Sequence, residues 1–263
     1  MLLLNGIITL VTDLKDQDFY LGTVRGSIYS TFRGAQLVDI SNSIAHFDTR
    51  QAAFVLKNSW QYFPEGTTHL VLVEDRTLTA RRILMAEENG HYFIAPDNGI
   101  FSLLFDDQNL KIFELNKKII NPENKRLPSR ILMATTAAKI ASGTPITDLG
   151  GIKVDTIRKT SLGVGISENS INGAVVFIDQ FANMITNISK NDFETVGKGR
   201  DFNISIRRGN WVNKIYNDFN EVAEGDLICH FNAAGNLVVS INKMKSARLI
   251  GLQLESPIQI DFT

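Results

Sequence analysis

The sequence predicts an α/β protein, with an N-terminal, mainly parallel α/β sheet domain followed by a C-terminal all-β barrel domain. Over roughly the first 100 residues, short apolar runs alternate with stretches of helical spacing, and this βαβαβ rhythm implies a parallel sheet covered by helices. Beyond residue 172 the helical signal nearly vanishes. Short β-like runs cut by Gly and Asn turns replace it, as in a small barrel or sandwich. Residues 150–172, rich in Gly, Ser and Asn and without periodicity, read as a connection. The expected domains are therefore 1–150 and 171–263, joined by a linker over 151–170.

Element by element, IITLV (7–11) is a first strand, and Phe19, Leu21, Val24 and Ile28 give helical spacing over 16–30. QLVDI (36–40) is a second strand. TRQAAFVLKNSWQYF (49–63) reads as a helix ended by Pro64 and Gly66, and HLVLV (69–73) as a third strand. RRILMAEE and HYFIAP flank Asn89-Gly90, a two-residue hairpin signal. A helix over 129–142, with Ala137, Ala138 and Lys139 as good formers, should stop at Gly143. In the second half GAVVFID, FNISIR, DLICHF, NLVVSIN and PIQIDF are the strand candidates.

Composition narrows the function. The 27 basic and 28 acidic side chains nearly cancel to a net charge of -1, which provides no field to gather nucleic acid or an anionic membrane. Neither is expected as a partner. Cys229 is the only cysteine, so an intrachain disulfide is excluded and a reducing compartment suits the chain. The N-terminal MLLLNGIITLVTDL lacks the basic region and cleavage site of a signal peptide. No run approaches the roughly 20 apolar residues of a membrane helix, and a cytoplasmic protein is expected. Histidines 46, 69, 91 and 230 share no metal-ligand spacing, so neither metal nor cofactor is indicated.

Several polar residues stand where chemistry could use them. FIDQFANMITNIS (177–189) places Asp179, Asn183 and Asn187 four apart among Phe, Ile and Met, where unpaired burial would be costly. Backbone turns and caps, or a polar small molecule, must satisfy them. Asp13 directly follows the first strand, where an α/β sheet presents side chains to ligand and a carboxylate can accept both hydrogens of a ribose diol. Asp is equally a common helix cap. Asp97-Asn98-Gly99 reads as a turn, and the cluster Lys117, Lys118, Lys125, Arg126 and Arg130, interspersed with Glu114 and Glu123, as solvated charge.

Taken together, VTDLKDQDFYLG (11–22), FDTRQAAFVLKNSWQYFPEGTTHLVLV (47–73), HYFIAPDNGIFS (91–102), FIDQFANMITNIS (177–189) and FNAAGNLVVSIN (231–242) resemble the S-adenosylmethionine (SAM) hydroxide adenosyltransferases, relatives of the fluorinase and chlorinase. The resemblance covers nearly the whole chain. It implies a homotrimer whose ligand lies between one subunit's N-terminal domain and a neighbour's C-terminal domain, with SAM as substrate rather than cofactor. It implies ribose binding by Asp13 and a pocket role for Asp179, Phe181, Asn183, Thr186 and Asn187, where Asn can donate and accept at once. Asp18 and Tyr20 match positions near the methionine end, and Phe47 an aromatic near the ribose. Asn98 belongs to a loop beside the pocket.

The family's Asp-Arg-His triad is altered. VEDRTLTARR (73–82) puts Glu74 at the Asp position, with Asp75 one step out of register, and keeps the Arg as Arg81. The His position holds Pro128, and Ile131 replaces the Asp that follows in the family's pattern. Ser129-Arg130 is a halogenase-like pair, and Ser129 is also a favoured residue for capping the helix behind it. The resemblance thus implies hydrolysis of SAM to adenosine and methionine, with Glu74, Arg81 and Ser129 as catalytic candidates. A non-catalytic SAM or adenosine binder and a halide-using adenosyltransferase stand as alternatives.

Overall fold

The structure, a computed structural model, describes residues 5–74, 82–105, 110–121, 123, 128–153, 155–206, 209, 211–245 and 249–263. The chain divides into two compact units, 1–160 and 161–263.

The first unit contains β1 (Ile7–Thr12), α1 (Tyr20–Thr31), β2 (Gln36–Ser41), α2 (Thr49–Lys57), β3 (Thr68–Leu72), β4 (Ile83–Glu88), β5 (His91–Pro96) and α3 (Ile100–Leu104). There follow β6 (Ile112–Leu115), α4 (Lys117–Ile120), α5 (Ser129–Ala141), α6 (Ile146–Leu149) and β7 (Gly150–Lys153). One mixed sheet runs β2-β1-β3-β5-β4-β6-β7. Its first four strands are parallel, and β4, β6 and β7 join them antiparallel. Alternation along the strands feeds two cores. Ile8, Leu10, Leu70, Leu72 and Ile94 pack with Val24 and Ile28 of α1 and with Met133 and Ala137 of α5. Val11, Val71, Phe93 and Ala95 face the opposite side, with Ala52 and Leu56 of α2 and Phe101 of α3. A sheet buried on both faces holds its parallel strands as largely apolar runs, and IITLV and HLVLV are apolar apart from Thr9 and His69.

Boundaries move where polar side chains rebond to the backbone. α1 starts at Tyr20 rather than residue 16, with the Asp18 carboxylate accepting the Tyr20 N–H at 2.8 Å. α2 stops at Lys57 rather than continuing to residue 63. Asn58 Nδ2 donates back to the Phe54 carbonyl at 2.8 Å and Ser59 Oγ to that of Val55 at 2.7 Å, and a separate 3₁₀ turn follows at Trp60–Tyr62. Asn89 and Gly90 take φ of 48° and 75°, the left-handed pair that a tight hairpin needs. The stretch from residue 150 is not merely a connection. β7 pairs with β6, and Gly150 is required there because a Cβ would lie 2.0 Å from the Glu114 carbonyl oxygen.

The second unit contains β8 (Gly165–Ile166), β9 (Ser170–Ile178), β10 (Met184–Ser189), α7 (Lys190–Gly197), β11 (Phe202–Ser205), β12 (Trp211–Val212), β13 (Leu227–Phe231), β14 (Asn236–Ile241) and β15 (Pro257–Phe262). The antiparallel order is β12-β11-β15-β9-β10-β14-β13, with β8 added to β9. Tyr216, just past β12, donates its N–H to the Cys229 carbonyl of β13 at 2.9 Å, so the two edges meet and the sheet nearly closes. Its interior holds Ile171, Val175, Met184, Ile188, Val239 and Ile260. Helix α7 interrupts the expected run of strands. A capping box between Ser189 and Asp192 starts it. No helix among the described residues is long and apolar enough to cross a membrane.

Candidate functional site

Parallel strands β1, β3 and β5 deliver their carboxyl ends to the same edge of the sheet, and three expected residues follow directly: Asp13 after β1, Glu74 shortly after β3, and Asn98 shortly after β5. Such an edge is where open α/β sheets bind ligands. Asp13 is 7% exposed. Its Oδ2 accepts the Phe47 N–H at 2.9 Å and the Glu74 N–H at 3.3 Å, while Oδ1 has no hydrogen-bond partner among the described residues. One carboxylate oxygen therefore holds two loops, and the other is available. Phe47, with φ of 66° and 63% exposure, leaves its ring in the open beside this carboxylate.

Asn98 is fully buried and fixes the same edge. Its Nδ2 donates to the Val73 carbonyl at 2.9 Å and its Oδ1 accepts the Ile100 N–H at 3.1 Å. It braces the residue before Glu74, and its side-chain bonds are spent on protein.

Glu74 stands at φ 56° with its side chain 13% exposed. Oε2 accepts the Thr49 hydroxyl at 3.1 Å and lies 3.4 Å from Lys159 Nζ, which also donates to Thr49 Oγ1 at 3.0 Å. Sequence reasoning missed both Thr49 and Lys159. Thr49 reads only as a helix start, and Lys159 lies in a segment without periodicity. Arg81 and Asp75 fall outside the described residues, as do Lys125 and Arg126.

A second grouping joins the starts of α1 and α5. The Arg130 guanidinium lies 4.5 Å above the Tyr20 ring, and its buried Nε has no hydrogen-bond partner among the described residues. Arg130 is thus stacked rather than simply solvated. Ser129 is not the helix cap: Pro128 takes that position, and Ser129 is the first helical residue, buried, with no side-chain capping bond. Pro128 has φ -58° but an extended ψ of 144°, which places it just outside the helix. Asp18, exposed, spends a carboxylate oxygen on the start of α1.

In the second unit the polar set of FIDQFANMITNIS lies on the β9–β10 hairpin. The Asp179 carboxylate accepts the N–H groups of Phe181 and Asn183 and the Asn183 Nδ2, each at 2.9 Å. Ala182 at φ 65° closes the turn, and Phe181 stands at its tip, 65% exposed. Asn187 Oδ1 accepts the Ala174 N–H at 2.7 Å while its Nδ2 donates to the Leu162 carbonyl at 2.9 Å. Thr186 is buried and donates to the Leu237 carbonyl at 2.9 Å. Turn and strand bonds thus satisfy this set within the unit. Beneath the hairpin, burial lowers the His230 pKa against the pull of Asp179.

Among the described residues no group of three or more His, Cys, Asp or Glu side chains could hold a metal ion.

The chain is similar to several known proteins. The chain is 28% identical to the (R)-S-adenosyl-L-methionine hydrolase of Thermus thermophilus, covering 95% of this chain and 97% of that one. It is 27% identical to the protein of the same name from Methanocaldococcus jannaschii, covering 97% and 95%, and 26% identical to the fluorinase of Actinoplanes sp., covering 74% and 76%. The crystal structure of an uncharacterized conserved protein from Thermotoga maritima superposes with a TM-score of 0.86 over 97% of this chain and 99% of that one, at 24% identity, and so shares the fold. The N-terminal domain model of the SAM hydroxide adenosyltransferases matches residues 8–150, and the C-terminal model matches residues 173–259. Matched by both models in order over most of its length, the chain belongs to the SAM hydroxide adenosyltransferase family.

Proposed function

We propose that the chain hydrolyses SAM at ribose C5′, giving adenosine and L-methionine. The observation that carries this reading is the Asp13 carboxylate, held by two backbone N–H groups through one oxygen and, among the described residues, unbonded through the other, at the strand edge it shares with Glu74. An anchored carboxylate is suited to a ribose diol, because its orientation is fixed before ligand arrives. The names of the relatives from Thermus and Methanocaldococcus support the same activity.

The chemistry asks little of the leaving group. Displacement at C5′ expels methionine as a neutral thioether from a sulfonium, so no general acid is needed. The water must be placed in line, shielded from solvent and relieved of a proton. In this reading Glu74 receives that proton, Arg81 orients the carboxylate, and Asn98 positions Glu74 through Val73. The hairpin residues Asp179, Phe181, Asn183 and Asn187 contribute to the nucleoside pocket of a neighbouring subunit, while Asp18 and Tyr20 serve the methionine end and Phe47 the ribose. SAM is substrate and no cofactor is required. A homotrimer in the cytoplasm completes the assignment, with neither nucleic acid nor membrane as a partner.

One observation favours a second reading. Pro128 and Ile131 stand where the family's His and Asp would be, which fits a binder that has lost turnover. Titration calorimetry with SAM and adenosine, followed by chromatography of the same samples, separates the readings. Adenosine and methionine formed in equal amounts support hydrolysis. Saturable binding with product at the no-protein level supports the binder, and halogenated adenosine formed only with halide would assign Ser129 to a halide site.

A further inference from the structure

We propose that Lys159 is a positioning residue of the active site, holding the Glu74 carboxylate through a Lys159–Thr49–Glu74 triangle; the proposal rests on the hydrolase reading. The three atoms are mutually within reach: Nζ to Thr49 Oγ1 is 3.0 Å, Nζ to Glu74 Oε2 3.4 Å, and Thr49 Oγ1 to Glu74 Oε2 3.1 Å. The ammonium is an ionic partner of a carboxylate that is itself only 13% exposed. Charge-assisted bonds of this kind are stronger than neutral ones, and a hydroxyl between the two groups fixes their geometry as well as their distance.

Three features show that Lys159 is built into this place and does not simply reach in from the surface. Its N–H donates to Ser102 Oγ at 2.9 Å, and the Ser102 hydroxyl lies 3.0 Å from the Lys159 carbonyl, so both backbone groups are clamped to α3. Two residues earlier, the Ile157 N–H donates to Asp97 Oδ1 at 2.9 Å, and the other Asp97 oxygen is held by Arg82, which also bonds Asp155. The lysine stem crosses Gly99, where a Cβ would lie 2.7 Å from Lys159 Cγ, and that glycine sits at φ 90°. The Asp97–Ser102 loop thus both braces Glu74 through Asn98 and docks the residue that pairs with it.

In the reaction the water oxygen forms its bond to C5′ as the C5′–S bond breaks and its electron pair passes to sulfur. The water proton goes to Glu74 and then to solvent. Lys159 touches neither bond; it keeps the accepting carboxylate aimed. Glutamate at this position is one methylene longer than the family's aspartate, so it has an additional torsion to restrain, and Lys159 with Thr49 supplies the restraint.

The test compares wild type, Lys159→Met, Lys159→Arg, Glu74→Gln and the Lys159→Met/Glu74→Gln double variant. Turnover of SAM is measured beside SAM affinity, and circular dichroism checks the fold. A misplacement of about 1 Å can cost on the order of 10²-fold, so Lys159→Met should lower kcat about 10- to 100-fold while the Kd for SAM changes less than about 3-fold. Lys159→Arg should recover a substantial part of the loss. Adding Lys159→Met to Glu74→Gln should have little further effect, because residues acting as a unit are not additive. An active wild type with Lys159→Met equally fast or faster, or with Arg no better than Met, overturns the role of Lys159 alone. A wild type that binds SAM and makes no product overturns the hydrolase reading and Lys159 with it. A Lys159→Met protein that loses binding and folded signal, with Lys159→Arg equally damaged, makes the lysine structural and also overturns the proposal.

Discussion

Asp13 separates two jobs between its oxygens, and substituting it should reveal both. Oδ2 ties Phe47 and Glu74 to the end of β1, and Oδ1 is the proposed ribose acceptor. Hydrogen bonds to charged groups contribute roughly 1.5–3 kcal/mol, so Asp13→Ala should weaken SAM binding by about 10- to 150-fold. Calorimetry with adenosine and with 2′,3′-dideoxyadenosine checks the assignment: the wild type should discriminate between them and the variant should not. Unchanged affinity for both ligands in the variant would remove the ribose role. The place of Asp13 was visible in the sequence as the end of an apolar strand, whereas Glu74 and Asn98 were singled out only by the family resemblance. Lys159 was not legible, because its place is set by bonds to Ser102 and by the neighbouring contact of Asp97 with Ile157 across the fold. Thr49 was hidden behind a helix start. The polar residues of the hairpin were visible as a set, but their partners, Leu162 and Ala174 among them, are tertiary.

At the scale of elements, β1, β3 and β5 carry a buried polar line that the site does not use. Thr9 Oγ1 lies 2.8 Å from His69 Nδ1, and His69 Nε2 lies 3.1 Å from His91 Nδ1. Burial first, and the neighbouring His91 second, lower the His69 pKa to about 3. The folded value lies below the unfolded one of about 6.5, so between those values the unfolded chain binds a proton that the folded chain refuses. Stability should therefore fall as pH drops through that window, by up to about 1.4 kcal/mol per pH unit. Denaturant unfolding from pH 6.5 to 4 should show a steeper loss for wild type than for His69→Gln; equal slopes would contradict it. The same scale shows what patterning missed. Strand periodicity located β1, β3, β4 and β5 well, since their alternation fills two cores, whereas helix ends were overestimated where Asp18, Asn58 and Ser59 compete for backbone groups. Helix α7 is short, and its Ser189–Asp192 capping box was the one available signal. Ser189→Ala should cost about 1 kcal/mol of stability in the second unit, read by chemical denaturation; no change would make the box dispensable.

For the whole molecule, the proposed homotrimer would bind its ligand between subunits, and ligand that binds only an assembled form stabilises that form by mass action. Light scattering should report a trimer whose dissociation on dilution is suppressed by SAM; a monomer at every concentration with SAM present would remove the assembly from the account. The fold class was legible from the change of periodicity between the halves, while the antiparallel strands β6 and β7 were not, because strands of four residues carry little pattern. The central step is water attack at C5′ of SAM. Incubation with SAM in ¹⁸O-water, with adenosine and methionine measured by mass spectrometry beside an Arg81→Ala control, tests it directly. Water attack should put ¹⁸O in the adenosine 5′-oxygen, release methionine in equal amount, and give a much lower yield from the control. Saturable SAM binding with product no higher than the protein-free blank, or adenosine without label at the 5′-oxygen, would contradict it.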